Sequence, residues 1–433
     1  MGHNLARRLC AYRNMPRLCL PPSGPRPAFR LNPFLFLVRE QHGSAHPPLA
    51  QHPQLFAGLG DKIFETSRED LEPSTTRVSQ DSGFKVVSTF NAIPGTASPV
   101  AVPGSPPSWK APKLPWRLPE TAREASLSEV PLSDQKSMLD LSLKIKHSDF
   151  EYDGVDVVTR ASLLVKLLMF CRRKNGLGLR RFSLRMTQDT LLIADDPSVM
   201  STRVGPTGAL RSVVTKHCAE PAPGLEHSTH YRSVQYQLGQ VNCVVQSEVG
   251  VLRSAPPSEL PRRRRHQTQS SQQLAVNPVS GEPALIQIYH KMEHQRTEFR
   301  GPLKPLHWFS RIPVALIPRF AGNGETITEF SKYNVTEAAG RWEKEEMTQV
   351  WLRKLATLLS ELKKAVKAAA PDGQECIGIL DRQEAVPTIQ LYLAEGESKR
   401  APEDIGSKPE LGETSRGQEE ALGGGGPGPT TPA

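Results

Sequence analysis

The stretch from Val155 to Val251 most constrains the fold, because helical and strand patterns follow one another in it without interruption. A short strand at 155–158 leads to Thr159, a predicted helix N-cap. Apolar residues then recur at helical spacing up to Cys171. Alternation at 181–186 predicts a half-buried strand, and strands at 191–193, 231–237 and 241–249 follow. A helix followed by mostly antiparallel strands predicts the α+β class.

The C-terminal half continues the same pattern. Strands are predicted at 284–289, 314–320, 326–330, 376–380 and 388–393. One long helix is predicted from Glu337 to Ala369, where apolar residues form a continuous stripe at a spacing of 3.6 residues. We therefore expect one globular α+β domain with a mostly antiparallel sheet, a short helix and one long C-terminal helix, flanked by disorder.

The domain boundaries follow from composition, since most of the 39 prolines and 32 glycines gather toward the two ends of the chain. The predicted segments are a disordered or targeting extension (1–85), a Pro-rich extended arm (86–134), the first half of the core (135–254), a basic polar linker (255–283), the second half of the core (284–395) and a disordered acidic tail (396–433). Trp109 and Trp116 are the expected anchors of the arm on the domain surface.

The first 39 residues carry seven arginines and no acidic residue, which is typical of a mitochondrial presequence. Their six prolines would break the amphipathic helix of a presequence, so a disordered extension is the alternative. No run approaches the length of a membrane span. The six cysteines form no CxxC pair, which predicts reduced thiols in an intracellular protein. Nucleus or cytoplasm is the expected location, with the mitochondrion as an alternative.

The net charge of +9 is unevenly distributed, and eight Lys or Arg residues but no acid lie between Arg160 and Arg185. Such a stretch predicts a surface that contacts phosphates without reading sequence. The candidate nucleic-acid-binding residues are Arg172, Arg173, Lys174, Arg181, Arg185, Arg262, Arg263, Arg264 and Arg265. The alternatives are a solvated basic face, basic residues that compensate a helix dipole and, for the four consecutive arginines, a nuclear-import signal.

Several motifs together resemble a fungal protein family commonly labelled geranylgeranyl pyrophosphate synthetase. They are Val102-Pro-Gly-Ser-Pro-Pro-Ser-Trp109, Val155–Arg172, Phe182–Asp195, Ser228–Tyr236 with Leu238–Gly250, His307-Trp-Phe-Ser-Arg-Ile-Pro313 and Trp342–Lys367. The motifs keep the family's order over residues 86–395. This chain departs from the family at Gln246 and Gly250, while Glu248 matches the family's acid.

The family label implies a prenyl diphosphate synthase, whose chemistry requires two facing DDxxD clusters that hold Mg²⁺. Asp195-Asp196 is the one adjacent aspartate pair, and Val199 occupies its fifth position. The sequence contains no second cluster. The carboxylates that the label requires are therefore absent.

Two motifs can be compared with metal-dependent hydrolases. A nuclease core with a helix before a hairpin would use Glu248 as its carboxylate, with Asp189 as a second acid if its turn folded back. Its E-x-K motif would require Lys where Gly250 stands. His290-Lys-Met-Glu-His294 matches a zinc motif, but it follows a strand-like segment, which favours a chance match.

The function predicted from the sequence is a non-catalytic or degenerate module that binds a polyanion, most simply nucleic acid, through the basic face. No cofactor is expected, with Mg²⁺ required only if an enzymatic alternative holds. Those alternatives are a metal-dependent phosphodiesterase that uses Glu248 and the prenyl synthase of the family label. A protein-interaction scaffold built on the arm and the long helix is the remaining one.

Overall fold

Two β-sheets and the helices that cover them make up most of the chain described by the computed structural model. The described residues are 53–93, 100–120, 154–172, 179–196, 206–254, 281–288, 303–322, 324–381 and 386–395. The predictions for residues 1–39 and for the acidic tail at 396–433 lie outside these ranges, as does most of the linker prediction for 255–283.

The first sheet has ten strands in the order β1-β17-β16-β7-β8-β6-β11-β10-β2-β3. They are β1 (Leu59–Ser67), β2 (Lys85–Ala92), β3 (Val100–Ala101), β6 (Val157–Arg160), β7 (Arg180–Thr187), β8 (Thr190–Asp195), β10 (Thr229–Leu238), β11 (Val241–Glu248), β16 (Cys376–Asp381) and β17 (Thr388–Ala394). All neighbours are antiparallel except β6, which runs parallel to both β8 and β11.

The second sheet has seven strands in the order β5-β15-β14-β13-β12-β4-β9. They are β4 (Ser108–Trp109), β5 (Trp116–Arg117), β9 (Ala219–Glu220), β12 (Val251–Ser254), β13 (Gly281–Ile286), β14 (Val314–Phe320) and β15 (Thr326–Asn334). The chain passes from the first sheet to the second at Val249-Gly250, between β11 and β12. This junction brings the end of β11 next to the second sheet.

Six α-helices are described in the same ranges. They are α1 (Pro53–Phe56), α2 (Ala161–Cys171), α3 (Pro206–Cys218), α4 (Leu303–Ser310), α5 (Thr336–Lys344) and α6 (Glu346–Ala369), with a 3₁₀ turn at Gln80–Ser82. The main core lies between one face of the first sheet and α2, α4, α5 and α6. Leu355, Leu359 and Leu362 of α6 are fully buried there, and burial of each contributes about 1.5–3 kcal/mol.

The Pro-rich segment contributes short strands to both sheets. β3 pairs with β2 of the first sheet, while β4 and β5 pair with β12 and β15 of the second. Trp109 packs edge-on against Phe330 at 5.2 Å between ring centroids, and Trp116 stacks on His217 at 3.8 Å. Both tryptophans thus hold this segment against the second sheet.

The fold class is confirmed, as is a long C-terminal helix, but some local predictions differ from the structure. The helix predicted from Glu337 to Ala369 is divided, because Glu345 adopts an extended conformation (φ −60°, ψ 130°) between α5 and α6. The N-cap of α2 is Arg160 and not Thr159, and it makes no side-chain capping hydrogen bond. The prediction of disorder up to residue 85 is wrong for β1, which pairs with β17 along the sheet edge.

Four cysteines fall within the described ranges, and all are buried free thiols: Cys171, Cys218, Cys243 and Cys376. Burial raises the pKa of the Cys218 thiol to about 12, which removes its reactivity at neutral pH. In the same ranges, no helix combines the length and the apolar character that crossing a bilayer requires.

Candidate functional site

Tyr231 and Glu248 form a directly opposed pair on β10 and β11, at the end of the first sheet where the chain crosses to the second. Directly opposed residues point to the same face of an antiparallel pair. Side chains of the other parity, Val234, Tyr236, Val245 and Cys243, belong to the core beneath the helices. Tyr231 and Glu248 therefore lie on the face of the sheet away from that core.

Arg160 joins this pair because β6 runs parallel to β11 and places Arg160 beside Gln246. The guanidinium lies over the Tyr231 ring at 5.4 Å from its centroid, and its Nε donates to Oε1 of Gln246 at 3.1 Å. Phe90 stacks on Tyr231 with ring centroids 5.4 Å apart. Tyr231 is thus held by its neighbours and fixes the position of the cation.

A row of buried polar residues crosses the sheet beside Arg160. Gln246 is opposite Ser233, and Ser233 is opposite Ser88. Gln246 is 1% exposed and the two serines are 0% exposed. The Gln246 Nε2 and both serine Oγ atoms have no hydrogen-bond partner in the described part of the chain. Buried polar atoms normally have a partner, so this row beside Arg160 is an exception among the described residues.

The rim of the site is set by Arg211 of α3, whose Nη2 lies 3.5 Å from Oε2 of Glu248. Both side chains are about two-fifths exposed, at 40% and 42%, so this ion pair contributes little to stability. Burial raises the pKa of Tyr231, and the Glu248 charge raises it further, while Arg160 and Arg211 oppose the shift. The site therefore combines the guanidinium groups of Arg160 and Arg211 with the carboxylate of Glu248, which favours an anionic ligand.

The basic residues predicted at 172–185 are placed differently. Arg172 lies 4.6 Å above the Trp351 ring of α6. Arg181 pairs with Asp196 at 2.5 Å and donates to the carbonyl oxygens of Leu55 and Ala57. Their guanidinium groups are thus used within the fold. Arg185 has its own interactions within the protein. Arg173, Lys174 and Arg262–Arg265 lie outside the described residues.

The acids considered from the sequence do not gather around Glu248. Asp195 pairs with Lys166 of α2, and Asp196 with Arg181. Asp189 pairs with Lys363 at 3.3 Å and Lys367 at 2.7 Å on α6. Asp189 as a second acid beside Glu248 is therefore wrong. The His290–His294 motif lies outside the described residues.

Sequence reasoning missed Arg160 and Tyr231, and the signal for both was present. Arg160 follows three buried strand residues, and its parity matches that of Val158, which faces away from the helix core. Tyr231 is the first residue of the strand predicted at 231–237, which the structure extends to Thr229–Leu238. Arg160 reaches Tyr231 because β6 pairs in parallel with β11. No local sequence pattern predicts which strands are neighbours.

Solved structures of other proteins share this overall fold. Rai1 of S. pombe is 13% identical with a TM-score of 0.52, and the match covers 76% of this chain and 99% of that one. Rai1 of Candida albicans in complex with pU5-Mn²⁺ is 10% identical, with a TM-score of 0.53 and coverages of 76% and 93%. Dxo1 of K. lactis in complex with manganese is 10% identical, with a TM-score of 0.50 and coverages of 76% and 97%.

At the level of sequence, a family model described as "Domain of unknown function (DUF8563)" matches residues 62–408. The chain belongs to this family. None of the curated proteins matches it in sequence.

These findings overturn two expectations. The resemblance to a family labelled geranylgeranyl pyrophosphate synthetase is wrong as a guide to this chain, because its fold is that of Rai1 and Dxo1 and its family model carries no such activity. The expectation of no cofactor is also contradicted, because neighbours of the same fold were crystallised with manganese.

The side chains at the Glu248 end of β11 can be compared with what such a metal needs. Divalent cations of this kind prefer several carboxylate or carbonyl oxygens. Here Glu248 is joined by Gln246 and Arg211, and Gly250 supplies no side chain. No group of three or more His, Cys, Asp or Glu side chains suited to a metal occurs within the described ranges. The described residues therefore do not fit a carboxylate-bound metal.

Proposed function

We propose that this protein binds RNA or a nucleotide at the face formed by Arg160, Arg211, Tyr231 and Glu248. The observation that carries the proposal is the placement of Arg160 on Tyr231 beside a row of unpartnered polar atoms. A positioned guanidinium with neighbouring hydroxyl and amide groups suits the oxygens of a phosphate. The shared fold with Candida albicans Rai1, crystallised with pU5-Mn²⁺, supports the same ligand class.

The ligand is expected to be recognised through its phosphates and not through a base code. Guanidinium and hydroxyl groups contact phosphate oxygens equally well in any sequence. Tyr231 has Arg160 on one side and Phe90 on the other, so it positions the cation and does not offer a stacking platform. The basic residues at 172–185 and 262–265 stay candidates for additional phosphate contacts.

Phosphodiester hydrolysis is the second candidate, and the comparisons support it better than a purely non-catalytic module. The fold is shared with proteins crystallised with manganese, and Glu248 lies on the proposed binding face. In this candidate Glu248 is the residue expected to be essential. Glu248 lacks neighbouring carboxylates among the described residues, so the experiment has to show whether cleavage occurs without them.

The test is fluorescence anisotropy of 5′-phosphorylated oligouridine with the full chain, at about 50 and 200 mM salt, where each phosphate contact steepens the salt dependence by about one unit. Arg160→Gln should weaken binding about tenfold and reduce the salt slope by about one. Arg319→Gln, an exposed arginine of β14, is the matched control and should change neither. Equal binding by wild type and Arg160→Gln would refute the proposed site.

The same samples, incubated with Mn²⁺ and analysed by gel electrophoresis, test the second candidate. Cleavage that disappears in Glu248→Gln would establish hydrolysis at this face. Binding by the wild type without any cleavage would support the binding function and exclude hydrolysis under these conditions.

A further inference from the structure

A pocket of about 360 Å³ lies on the opposite side of β10 from the site described above. Arg232 lines it, and Arg232 points away from its neighbour Tyr231 because successive strand residues alternate between faces. The other walls come from the 3₁₀ turn at residues 80–82, the loop after α4 and the start of α5. The pocket is therefore separate from the Arg160 face.

Arg311 forms one wall and is only 8% exposed. Its guanidinium lies 4.2 Å from the ring centroids of both Tyr236 and Trp308. Nη1 is 3.5 Å from Oε1 of Gln80, while Nε and Nη2 have no hydrogen-bond partner among the described residues. Two N–H groups of this buried cation thus lack a partner among the described residues, beside the pocket that Arg311 lines.

The backbone of Arg311 adds a second signal, because its φ of 54° lies in the left-handed region. A non-glycine residue there costs on the order of 1–3 kcal/mol and persists where surrounding structure imposes it. Glycine would avoid this cost at the same position. The side chain of Arg311 is therefore present in spite of its backbone conformation.

Arg232 supplies a second cation. Its Nη2 donates to the carbonyl oxygens of Ser310 at 2.9 Å and Arg311 at 2.6 Å, and its Nε has no described partner. Burial lowers the pKa of Arg232 to about 10, so it stays charged at neutral pH. The described lining contains no Asp or Glu. The nearby carboxylate of Glu343 accepts from the Gln80 backbone N–H and from Trp308 Nε1.

The remaining walls are mostly apolar, with Phe84, Pro283, Ile312, Pro313 and Val335 among them. Phe84 is 48% exposed, and Arg232 lies 5.7 Å from its ring centroid. The first residue of α5, Thr336, also lines the pocket, so the positive end of that helix dipole adds to the attraction for an anion. Apolar walls with a few convergent polar groups are typical of small-molecule sites of this volume.

We propose that this pocket binds a small organic anion, a monophosphate or carboxylate on an apolar or aromatic body, through the guanidinium groups of Arg232 and Arg311 that line it. The acidic group lies against the two guanidinium groups, and the apolar body lies against Phe84 and the proline-lined wall. The site needs no metal and does not depend on RNA binding at Arg160.

Isothermal titration calorimetry of the full chain with phenyl phosphate, benzoate and inorganic phosphate tests this proposal. Saturable binding of phenyl phosphate or benzoate is expected, with inorganic phosphate weaker than either because it lacks the apolar body. Which of the two organic probes binds more tightly identifies the acidic group. Arg232→Gln and Arg311→Gln should each weaken the better probe by at least about tenfold, the loss of one charge-assisted hydrogen-bonded contact.

Two controls separate this site from the other. Arg160→Gln should leave phenyl phosphate binding unchanged while weakening RNA binding, and Arg319→Gln should leave both unchanged. Thermal melting of each variant establishes that it folds. Absence of saturable binding by the wild type, or equal binding by Arg232→Gln and the wild type, would overturn the proposal.

A second measurement does not depend on variants. Phenylglyoxal modifies accessible arginines, and peptide mass spectrometry locates the products. The bound probe should protect Arg232, which is partly exposed, but not Arg319. No protection of Arg232, or equal protection of Arg319, contradicts binding in this pocket.

Discussion

Tyr231 of β10 and Glu248 of β11 are in register, so that a partly buried phenol and a half-exposed carboxylate share the face from which the chain crosses to the second sheet. Arg160 lies over the same tyrosine. Glu248 was a candidate from the sequence, and the structure places it on the same face as Arg160, which was not. This placement also makes the effect of removing the Glu248 charge informative.

Glu248→Gln distinguishes a phosphate-binding face from a metal-dependent one. Without metal, loss of the negative charge beside Arg160 and Arg211 should strengthen oligouridine binding about threefold to tenfold, because like-charge repulsion of the phosphate disappears. Anisotropy in EDTA measures this. Glu329→Gln removes an exposed carboxylate of β15 and serves as the control. A weaker complex with Glu248→Gln would show that Glu248 itself holds the ligand.

A buried carboxylate supports the wall of the pocket lined by Arg232 and Arg311, and its removal should lower the stability of the fold. Glu343 is 2% exposed and accepts from Gln80 N at 2.9 Å and Trp308 Nε1 at 2.8 Å. Its charge also opposes the lowering of the Arg311 pKa by burial. Glu343→Gln should lower the free energy of unfolding by about 3 kcal/mol, because a buried cation loses its counter-charge.

Urea denaturation measures that loss, with Glu337→Gln as the control on the same helix. Glu337 is 79% exposed and pairs with Arg341 one turn away, so its removal should cost less than about 0.5 kcal/mol. Equal stability of the two variants would mean that Glu343 does not compensate Arg311.

The part of the fold that the sequence predicts well consists of elements with strong local periodicity. β14 was predicted with its observed bounds, and β16 and β17 to within one residue, because short apolar runs bounded by turn residues mark them. The break at Glu345 was missed because the apolar stripe runs through it. β1 was missed because Leu59–Ser67 contains three charged residues and lies at a sheet edge, where burial does not impose a pattern.

The candidate sites show the limit of local patterns more clearly. Arg232 shares its parity with Val234, Tyr236 and Leu238, which all face the helix core, so a charged residue on an apolar face was visible in the sequence. Its partner Arg311 was not, because the two are brought together by β10 and the loop after α4, 79 residues apart along the chain. Sequence spacing could not show that meeting.

Gly378 offers a test of the packing between β7 and β16. A Cβ at this position would lie 2.4 Å from two ring carbons of Phe182, which is 1% exposed and directly opposite in register. Gly378→Ala should destabilise the protein by about 1–3 kcal/mol, because the ring has to move within a filled core. Gly322→Ala is the matched control, since nothing lies within 4 Å of its Cβ position. Equal urea midpoints for the two variants would contradict the packing.

His307 links stability to pH. It is 2% exposed, and its Nδ1 lies 2.8 Å from the carbonyl oxygen of Ile312, to which a neutral ring can donate. Burial lowers its pKa to about 4, whereas an unfolded histidine has a pKa of about 6.5. Above pH 6.5, as a rough boundary, neither state binds the proton. Below pH 6.5, as a rough boundary, His307 is protonated in the unfolded state but stays neutral in the folded state. The free energy of unfolding therefore falls with pH until the pH passes the folded-state pKa of His307.

Between pH 7.5 and 5.0 this group should therefore remove about 2 kcal/mol from the free energy of unfolding. His307→Gln can keep a donor for the Ile312 carbonyl but does not titrate, so its loss over the same interval should be smaller by about that amount. Urea unfolding at the two pH values measures the difference. His227→Gln, at an exposed position, should behave as the wild type. His230, with a pKa lowered to about 3 by burial, contributes to all three proteins alike and cancels. Identical pH dependence of His307→Gln and the wild type would show that His307 is not held neutral in the folded protein.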